Sequence, residues 1–508
     1  MNHFFQQLRQ RLFPPPMPKN RLTKTDFIEY LDCDKSLWLK KNKREAYPDE
    51  PISLYEKRIQ EDGYKVEELT EKLFKNGIQV PSRNAIEATK ETLKKGAGIY
   101  YQPEFLTPEG LLARVDILEK HEDGSFTILE VKSSTRVKPE HKKDACFQKY
   151  VMTQLGMEVK EVYVIHINKE YVLEGEEIDY EAYFVKANLT ETVEEIFEET
   201  VGEIEEALAF INQAEIDESN CDCLYKTRSN HCRTFTYFNP NIPEHSIYEL
   251  NRIRKSSIKE LVDAGIMAIK DIPDSFRLNN LQEAQRESVI TGKPVIDKAI
   301  IKQQLDSLQF PLHFIDYETY ASAIPKLRGT RPHQHLVFQV SVHTMHESGK
   351  IDHFDYLADE LEMPSKLLTA LEKFTGWEGT FISWHASFEN SRNEDMMKLL
   401  PEFKDYLQFV VDHTFDLEKI FTLALYVDAR FKGSTSIKKV LPVLLPNLSY
   451  EDLEIQDGTA ALETWERYAV LHQRNLNRRQ TSKNLKDYCE RDTYAMVEIY
   501  RELRKIVE

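Results

Sequence analysis

Two acidic residues at the end of an aromatic segment could bind a metal ion. Phe314-Ile315-Asp316-Tyr317-Glu318-Thr319-Tyr320 places Asp316 and Glu318 two positions apart. Side chains two residues apart point to the same side of a β-strand, so the two carboxylates would project together. Carboxylates held this close repel unless a cation lies between them, and their oxygens suit Mg²⁺ or Mn²⁺. The alternative interpretation of this pair alone is a solvated strand end.

Two later segments extend this acidic pattern. A predicted strand leads into His385-Ala386-Ser387-Phe388-Glu389. A helix is predicted from Leu485 to about Ile506, and within it Tyr488 and Asp492 lie four residues apart. Residues at that spacing share one helical face. A phenol and a carboxylate would therefore project together from this helix.

In order and spacing, these three pieces resemble the DEDD exonucleases of the DnaQ-like superfamily, which have a ribonuclease-H-like fold. The resemblance implies that four carboxylates bind two divalent metals and that a tyrosine orients the attacking water. Glutamate stands where the second motif of the family usually has aspartate, and His385 stands where it has asparagine. The site residues implied are Asp316, Glu318, Glu389, Tyr488 and Asp492.

A hairpin is predicted in the first half of the chain. Leu111–Leu118 predicts a strand, His121–Gly124 a turn, and Ser125–Lys132 the returning strand. The turn contains Asp123-Gly124, a common turn dipeptide. The hairpin therefore brings the acidic residues of its two strands close to each other.

The register of this hairpin decides which side chains meet. A turn centred on Asp123 pairs Asp116 with Glu130, and Lys132 projects to the same side of its strand as Glu130. Two carboxylates with a lysine beside them can hold a divalent metal and orient an attacking water. The alternative is an exposed hairpin with an ordinary ion pair.

These hairpin residues resemble the PD-(D/E)xK nuclease core of the RecB-like type. The resemblance rests on Asp116, Glu130-Val131-Lys132 and Gln148. It implies that the aspartate and the glutamate bind metal, that the lysine serves the catalytic water, and that the glutamine follows on a helix. An upstream acidic residue is usual in the family, and either Glu67 or Glu68 could fill that place.

Four of the six cysteines are grouped at the two ends of the same region. Cys33 comes early, and Cys221, Cys223 and Cys232 come late. One early and three late cysteines resemble the 4Fe-4S site of some RecB-like nucleases, although the late spacing here is C-x-C-x8-C. Zinc is the alternative metal, and unrelated buried cysteines are the alternative interpretation.

Other segments are predicted to form helices around these sites. Leu22–Trp38 and Glu61–Phe74 predict helices, and Glu191–Ile211 predicts a helix with a solvated glutamate-rich face. Cys146 and Cys489 fall inside apolar helical patterns and are predicted to be core thiols.

Basic and acidic residues outside the motifs have more than one interpretation. Asp412 and Asp416 are alternative metal ligands, for which a capping or strand-end role is favoured. Residues 434–439 and a basic run before the last motif could contact phosphates or form a solvated face. That run is Arg474, Arg478, Arg479, Lys483 and Lys486. A glycine-turn helical hairpin around Gly265 could grip a nucleic-acid backbone, but a helical spacer is favoured.

Composition restricts the class of protein. The 508 residues suggest two to four domains, and 41% hydrophobic residues suffice for real cores. A net charge of -18 argues against a protein that coats nucleic acid indiscriminately. The sequence has no apolar run near the ~20 residues that span a bilayer, and Met1–Leu12 lacks the apolar core of a signal peptide. Six cysteines are too few for a disulfide scaffold, so a reducing cytoplasm is expected.

Taken together, the chain resembles a bacterial family of unknown function that fuses a RecB-like nuclease to a DnaQ-like exonuclease. The expected fold class is α/β, with an N-terminal restriction-endonuclease-like domain and a C-terminal ribonuclease-H-like domain. The expected divisions are a tail at 1–20, the RecB-like domain at 21–240, a helical connector at 241–305, and the DnaQ-like domain at 306–508.

The resemblance implies a metal-dependent nuclease with two centres. Its implied cofactors are Mg²⁺ or Mn²⁺ and a 4Fe-4S cluster, and its implied partner is nucleic acid, with DNA favoured over RNA and no membrane. The alternatives are an RNA-trimming exonuclease that uses only the C-terminal site, and a non-catalytic nucleic-acid-binding scaffold.

Overall fold

The structure, a computed structural model, describes residues 19–49 and 52–508. The chain divides into two compact units. The first unit runs to Tyr171 and adds Glu177–Leu224 and Asn230–Pro240, and the remaining residues up to Glu508 form the second. Most of the tail expected at 1–20 lies outside the described residues, and the expected connector at 241–305 groups with the second unit.

The first unit contains two sheets. A six-stranded sheet has the order β2-β3-β6-β7-β8-β9, and a three-stranded sheet has the order β1-β5-β4. The strands are β1 (Leu22–Thr23), β2 (Ile78–Gln79), β3 (Gly98–Tyr101), β4 (Glu104–Leu106), β5 (Leu111–Arg114), β6 (Ile117–Lys120), β7 (Phe126–Lys132), β8 (Val159–Ile167) and β9 (Phe184–Asn188). The β7 strand is central and buried along nearly its whole length, so it forms the rigid base for the residues it carries.

Helices cover the sheets of the first unit. They are α1 (Lys24–Asp32), α2 (Asp34–Asn42), α3 (Leu54–Thr70), α4 (Ala85–Leu93), α5 (Pro139–Gln154), α6 (Tyr180–Tyr183), α7 (Thr190–Ile211) and α8 (Phe235–Phe238). Phe27, Phe147 and Ile204 bring α1, α5 and α7 into one core with the strand residues Leu118 and Ile128. Burial of this apolar surface fixes the helices against the sheet.

The first predicted helix, Leu22–Trp38, is wrong as a single element. Leu22 and Thr23 form a short strand, and Cys33 has an extended backbone that separates α1 from α2. Thr23 caps α1, because its hydroxyl accepts the N–H of Asp26. The helical periodicity continued across Cys33, so hydrophobic pattern alone did not reveal the break.

The predicted hairpin strand Leu111–Leu118 is also divided. It separates at Val115-Asp116 into β5 and β6, which belong to different sheets. The turn and the returning strand are confirmed, and β6 pairs with β7 so that Leu118 faces Ile128. Asp116 therefore lies at the point where the chain passes from one sheet to the other.

The glutamate-rich helix is present as α7, but its predicted role as a solvated face is incomplete. Val193, Ile204 and Ala207 are fully buried in the first core. On its polar side, Glu203 accepts a 2.6 Å hydrogen bond from Lys143 of α5. The helix therefore holds α5 in place as well as facing solvent.

The second unit is built on a five-stranded sheet with the order β13-β12-β11-β14-β15. The strands are β10 (Val295–Ile296), β11 (Leu312–Tyr320), β12 (Leu336–Met345), β13 (Ile351–Leu357), β14 (Thr380–Ser383), β15 (Thr414–Asp416) and β16 (Tyr426–Val427). The first three strands of the sheet, β11 to β13, pair antiparallel, whereas β14 and β15 run parallel to β11. The short strands β10 and β16 form a separate pair.

The second unit also contains a series of α-helices. They are α9 (Lys255–Asp263), α10 (Asn280–Thr291), α11 (Lys298–Asp306), α12 (Ser365–Thr375), α13 (Ala386–Leu399), α14 (Lys404–Asp412), α15 (Lys419–Thr422), α16 (Ile437–Leu444), α17 (Gly458–Trp465) and α18 (Arg478–Val507). Of these, α13 and α18 pack on opposite faces of the five-stranded sheet. Phe314 packs with Tyr500 of α18 on one face, and Tyr317 packs with Met396 of α13 on the other. Because strand side chains alternate, Asp316 and Glu318 lie on the α18 side.

The last helix is longer than predicted, since α18 begins at Arg478 rather than at Leu485. Asn477 caps it through a hydrogen bond from the N–H of Gln480, a signal that was not used in the prediction. Both units thus combine helices with sheets, which confirms the α/β class. Within the described residues, no helix is long and apolar enough to cross a membrane.

Candidate active sites and a cysteine cluster

The second unit brings four acidic side chains to one end of its sheet. Asp316 and Glu318 come from β11, Glu389 from the first turn of α13, and Asp492 from the middle of α18. Glu318, Glu389 and Asp492 are buried, and Asp316 is half-buried. We call Asp316, Glu318, Glu389 and Asp492 the second carboxylate cluster.

The carboxylates of this cluster act on one another electrostatically. Burial, followed by the charges of Asp492 and Glu389, raises the pKa of both Asp316 and Glu318 well above the ordinary value. Burial likewise raises the pKa of Glu389 to about 8 and that of Asp492 to about 6. The folded chain therefore concentrates negative charge that is costly without protons or a cation.

One oxygen of the cluster has no partner among the described residues. Oε2 of Glu389 is buried and accepts no hydrogen bond there. A buried carboxylate oxygen without a donor is unusual, because desolvation of the charge is then uncompensated. This oxygen is available to a cation, which agrees with a metal-ligand role for Glu389.

Tyr488 and two further residues, Tyr450 and Lys438, lie around Asp492. The phenol of Tyr450 donates a 2.5 Å hydrogen bond to Oδ1 of Asp492. Lys438 Nζ lies 3.4 Å from the Tyr488 phenol oxygen, and its charge opposes the rise that burial causes in the pKa of Glu318 and Asp492. Lys438 was within the segment 434–439 suggested for phosphate contact, whereas Tyr450 had no signal in the sequence.

Cys489 also belongs to this site. It is buried, as a core thiol should be, but its Sγ lies 3.7 Å from Oδ2 of Asp316. A ligand atom from each of Asp316, Glu318 and Cys489 lies within 4.8 Å of the other two. Its position one residue after Tyr488 was the available signal.

The alternative acidic ligands have other roles. Oδ1 of Asp416 accepts the backbone N–H of His385 and that of Glu418, so Asp416 holds the end of its strand. Asp412 is exposed at the end of α14 and accepts a hydrogen bond from Gln408. His385 is exposed and lies 2.8 Å from Glu418, so its side chain points to that carboxylate.

The first unit contains a second group of buried polar residues, centred on Glu130. Its Oε1 accepts hydrogen bonds of 2.6 Å from Lys24 and 2.7 Å from Lys132, and its Oε2 accepts one of 2.6 Å from Gln148. Lys132 also donates to Asp144 at 2.6 Å. Glu130, Lys132 and Gln148 therefore meet, as the resemblance implied. Lys24 and Asp144 join them, although the sequence analysis did not single them out.

Asp116 reaches the same place from the junction between β5 and β6. Its Oδ2 accepts the backbone N–H of Val131 at 2.8 Å, and its Oδ1 lies 3.8 Å from Lys24 Nζ. Asp116 and Glu130 thus converge on one ammonium group rather than projecting to opposite faces. We call Asp116, Glu130, Lys132, Gln148, Lys24 and Asp144 the first polar cluster.

The protonation states in the first polar cluster differ sharply. Burial and then the charge of Glu130 raise the pKa of Asp116 to about 7. Burial opposes ionisation of Glu130 as well, but Lys132 and Lys24 outweigh it and lower its pKa far below the ordinary range. Although burial opposes it, the charges of Glu130 and Asp144 raise the pKa of Lys132. Glu130 and Lys132 are therefore an ion pair at neutral pH.

The choice between the two upstream glutamates is clear. Glu67 of α3 is half-buried and accepts a hydrogen bond from Gln102, and the charge of Glu130 adds to burial in raising its pKa. Glu68 is exposed. Glu67 therefore faces the first polar cluster and Glu68 does not.

The four grouped cysteines meet in space. Cys33 comes from the break between α1 and α2, and the other three come from the irregular segment after α7. All four are buried, and their sulfur atoms lie within 4.8 Å of one another. The four thiolates could bind a metal ion, and Asn239 donates a 3.4 Å hydrogen bond to Cys221. The set is Cys33, Cys221, Cys223 and Cys232.

Most of the basic residues that could have contacted phosphates instead contact other groups of the protein. Lys486 pairs with Asp355 at 2.7 Å, Lys483 pairs with Asp487, and Arg478 donates to the carbonyl of Tyr468. Among the predicted connector residues, Lys259 pairs with Asp263 at 2.8 Å. These contacts engage the basic residues with other protein groups, whereas Lys438 of the segment 434–439 lies at the second carboxylate cluster.

Comparisons with known proteins match parts of the chain. A family described as a domain of unknown function, DUF2779, matches residues 313–436. Uncharacterized protein MG366 of Mycoplasma genitalium is 28% identical over 218 residues, which cover 38% of this chain and 32% of that protein. Its homologue in Mycoplasma pneumoniae is 29% identical over 207 residues, covering 37% and 31%. The chain thus spans about a third of the length of these curated relatives.

A solved structure is also similar over part of the chain. The crystal structure of SSO0001 is 12% identical to it, covers 39% of this chain and 82% of that chain, and has a TM-score of 0.19. The matched family range includes Asp316, Glu318 and Glu389 but ends before α18. The α18 residues Tyr488 and Asp492 therefore lie outside the matched range.

Proposed function

We propose that this chain is a divalent-metal-dependent nuclease that hydrolyses phosphodiester bonds at two centres. The observation that carries the proposal is the second carboxylate cluster, in which four acidic side chains from three separate elements meet beside Tyr488. A fold gains no stability from gathering charges of one sign, since each raises the pKa of the others. Such a gathering is expected where a cation or substrate is to be bound.

The topology of the second unit supports a ribonuclease-H-like fold of the DnaQ type. This fold would have three antiparallel strands, here β11 to β13, and then two strands parallel to the first, here β14 and β15. It would also have helices on both faces of the sheet. The first motif lies on the central strand and the last motif on the C-terminal helix, as in the DEDD exonucleases. The order of elements thus agrees with the order of motifs.

The donor set fits divalent metal ions. Hard carboxylate oxygens are what Mg²⁺ and Mn²⁺ prefer, and Oε2 of Glu389 has no competing donor among the described residues. Asp316, Glu318, Glu389 and Asp492 would hold the ions. When bound, such ions supply activation of water and neutralisation of the charge that develops on the phosphate.

The other side chains of the second site have separate tasks. Burial and nearby carboxylates raise the pKa of Tyr488, so its phenol keeps its proton and can orient a water by hydrogen bonding. Lys438 lies against the rings of Tyr450 and Tyr488, with its ammonium 5.4 and 5.3 Å from the ring centroids. From there it can offer a positive charge to a phosphate oxygen.

For the first centre we propose the RecB-like PD-(D/E)xK arrangement. Asp116, Glu130 and Glu67 would supply the metal ligands, and Gln148 fixes one oxygen of Glu130. Lys132 stays protonated because its pKa is raised, so it can donate to a water or a phosphate oxygen but cannot act as a base. The ammonium group of Lys24 lies between Asp116 and Glu130, so it would compete with a divalent ion for these two carboxylates.

For the cysteine cluster we propose a 4Fe-4S site, with zinc as the alternative metal. Four thiolates from distant segments suit either, and all six cysteines are unpaired, which fits a reducing cytoplasm. Anaerobic reconstitution should load iron and sulfide or zinc into the wild type. Cys33→Ser should lose this metal and Cys146→Ser should keep it, because Cys146 is buried in the core away from the cluster. Equal loading of the two variants would refute the proposal.

The substrate is proposed to be DNA, because RecB-like nucleases usually act on it. Labelled single- and double-stranded DNA and RNA should be digested with Mg²⁺ or Mn²⁺, comparing the wild type with Asp116→Asn, Asp316→Asn and the double variant. Each single variant is expected to remove the products of one centre. Cleavage of RNA alone, lost only in Asp316→Asn, would favour the RNA-trimming alternative. Binding without cleavage by the wild type would favour the scaffold.

A further inference from the structure

A second group of metal-binding side chains lies on the second unit, apart from the second carboxylate cluster. His343 of β12, His353 of β13 and Glu490 of α18 each place a ligand atom within 4.8 Å of the other two. The imidazole rings of His343 and His353 stack with centroids 4.3 Å apart, and Glu490 Oε1 lies 3.9 Å from Nδ1 of His353. None of these residues belongs to the motifs described above.

Two hydroxyl groups hold one nitrogen of each imidazole ring. The Thr493 hydroxyl lies 2.8 Å from Nδ1 of His343 and 2.8 Å from the Ser341 hydroxyl. The Ser341 hydroxyl in turn lies 3.0 Å from Nε2 of His353. When these hydroxyls accept the imidazole N–H groups, Nε2 of His343 and Nδ1 of His353 present lone pairs to a cation.

This pattern is the one found around metal-binding histidines. The nitrogen that does not bind metal donates to a neighbouring oxygen, which fixes the tautomer and the ring orientation. Here Thr493 and Ser341 supply those oxygens for His343 and His353 respectively. The carboxylate of Glu490 faces the free nitrogen of His353 and completes a set of two imidazoles and one carboxylate.

We infer that His343, His353 and Glu490 form a binding site for a transition-metal ion of the Zn²⁺ type. Two imidazole nitrogens and one carboxylate oxygen suit Zn²⁺ and related ions better than Mg²⁺, which prefers oxygen ligands. The side chains of His353 and Glu490 are 27% and 47% exposed, so an ion can enter from solvent and keep water in its remaining positions.

The site would join the β12–β13 hairpin to the helix that carries the last nuclease motif. Glu490 and Thr493 stand on either side of Asp492 in α18, and Ser341 pairs with Asp316 in the sheet. An ion held here would restrain α18 at Asp492 without touching the second carboxylate cluster. Such an ion would stabilise the fold and take no part in hydrolysis, so its binding does not depend on the proposed nuclease activity.

The test is Zn²⁺ binding by the full chain after treatment with a chelator. Bound zinc per chain is measured by equilibrium dialysis with excess Mg²⁺ for the wild type, His353→Gln and Glu490→Gln. His346→Gln is the matched control, because His346 lies on the same hairpin and contacts Asp352 instead. The cysteine cluster is identical in all four proteins, so its zinc cancels in the comparison.

The expected result is that His353→Gln and Glu490→Gln each bind one zinc fewer than the wild type, and that His346→Gln matches the wild type. Zinc should also raise the melting temperature of the wild type more than that of His353→Gln. Equal stoichiometry in the wild type and both site variants would overturn the inference. Asp316→Asn should retain this zinc, so loss of nuclease activity and loss of the zinc site are separable.

Discussion

The phenol of Tyr450 donates a 2.5 Å hydrogen bond to Oδ1 of Asp492, the carboxylate that α18 carries into the second carboxylate cluster. Tyr450 lies in an irregular segment between α16 and α17. After the dominant effect of burial, this hydrogen bond is the largest influence on the pKa of Asp492, and it lowers that pKa. A residue outside every recognised motif thus favours the ionised form of a proposed metal ligand.

Tyr450→Phe should therefore weaken metal binding at the second centre. Loss of the hydrogen bond raises the pKa of Asp492 above about 6, so protons compete better with Mg²⁺ at neutral pH. We expect the Mg²⁺ concentration for half-maximal cleavage at pH 7 to rise about 5- to 10-fold, the equivalent of one hydrogen bond. Tyr494→Phe, which alters an exposed tyrosine of α18, is the control. Unchanged Mg²⁺ dependence of Tyr450→Phe would refute the role of this bond.

Glu389→Gln should abolish most cleavage by the second centre. The substitution keeps the volume of the side chain but removes the charge from the oxygen that has no partner among the described residues. We expect a loss of at least about 10- to 100-fold in rate, with binding of nucleic acid retained. Glu394→Gln, at an exposed position of the same helix, should leave the rate unchanged. Equal rates for the two variants would remove Glu389 from the site.

The same substitution should make the metal-free chain more stable in a pH-dependent way. Burial raises the pKa of Glu389 from 4.5 to about 8, so between these pH values the folded chain keeps a proton that the unfolded chain releases. The resulting loss of stability grows over this range and is complete above about pH 8. The advantage of Glu389→Gln over the wild type should increase from pH 5 to pH 8, at up to about 1.4 kcal/mol per pH unit. Denaturant unfolding in chelator measures it, and an advantage that shrinks with rising pH would contradict the shift.

Lys24→Met should make the stability of the chain depend more strongly on Mg²⁺. Lys24 and Lys132 both neutralise Glu130, and removal of one ammonium leaves buried carboxylates less compensated. We expect the metal-free variant to be less stable by about 3 kcal/mol, and Mg²⁺ to raise its melting temperature more than that of the wild type. Lys90→Met, an exposed lysine of α4, should resemble the wild type. A smaller Mg²⁺ effect in Lys24→Met would show that Lys24 does not compete with the metal.

The sequence predicted short-range geometry well where the alternation of side chains was clear. The register of the β6–β7 hairpin follows from a turn at Asp123, and the shared side of Asp316 and Glu318 follows from strand geometry. Tyr488 and Asp492 share a face because the helix is regular. In these cases the residues that matter are close in sequence, so local rules suffice.

The rest could not be predicted because it depends on residues distant in sequence. Lys24 reaches Glu130 from a helix 106 positions earlier, and Tyr450 reaches Asp492 across 42 positions. The division of the strand at Asp116 depends on a three-stranded sheet that only the folded chain reveals. The break at Cys33 interrupts a periodic apolar pattern, and no nearby glycine or proline marks it.

The position of Cys33 has a consequence for how the first unit is made. Cys33 ends the helix that starts at Lys24, whereas its three partner cysteines are translated only after nearly the whole unit has left the ribosome. Until then, the cysteine cluster cannot stabilise the C-terminal end of α1, and the contact between Lys24 and Glu130 lacks that support. Closing so long a loop restricts the unfolded chain strongly. Metal binding by the four cysteines would thus come late in biogenesis and would hold the N-terminal helix against the first polar cluster.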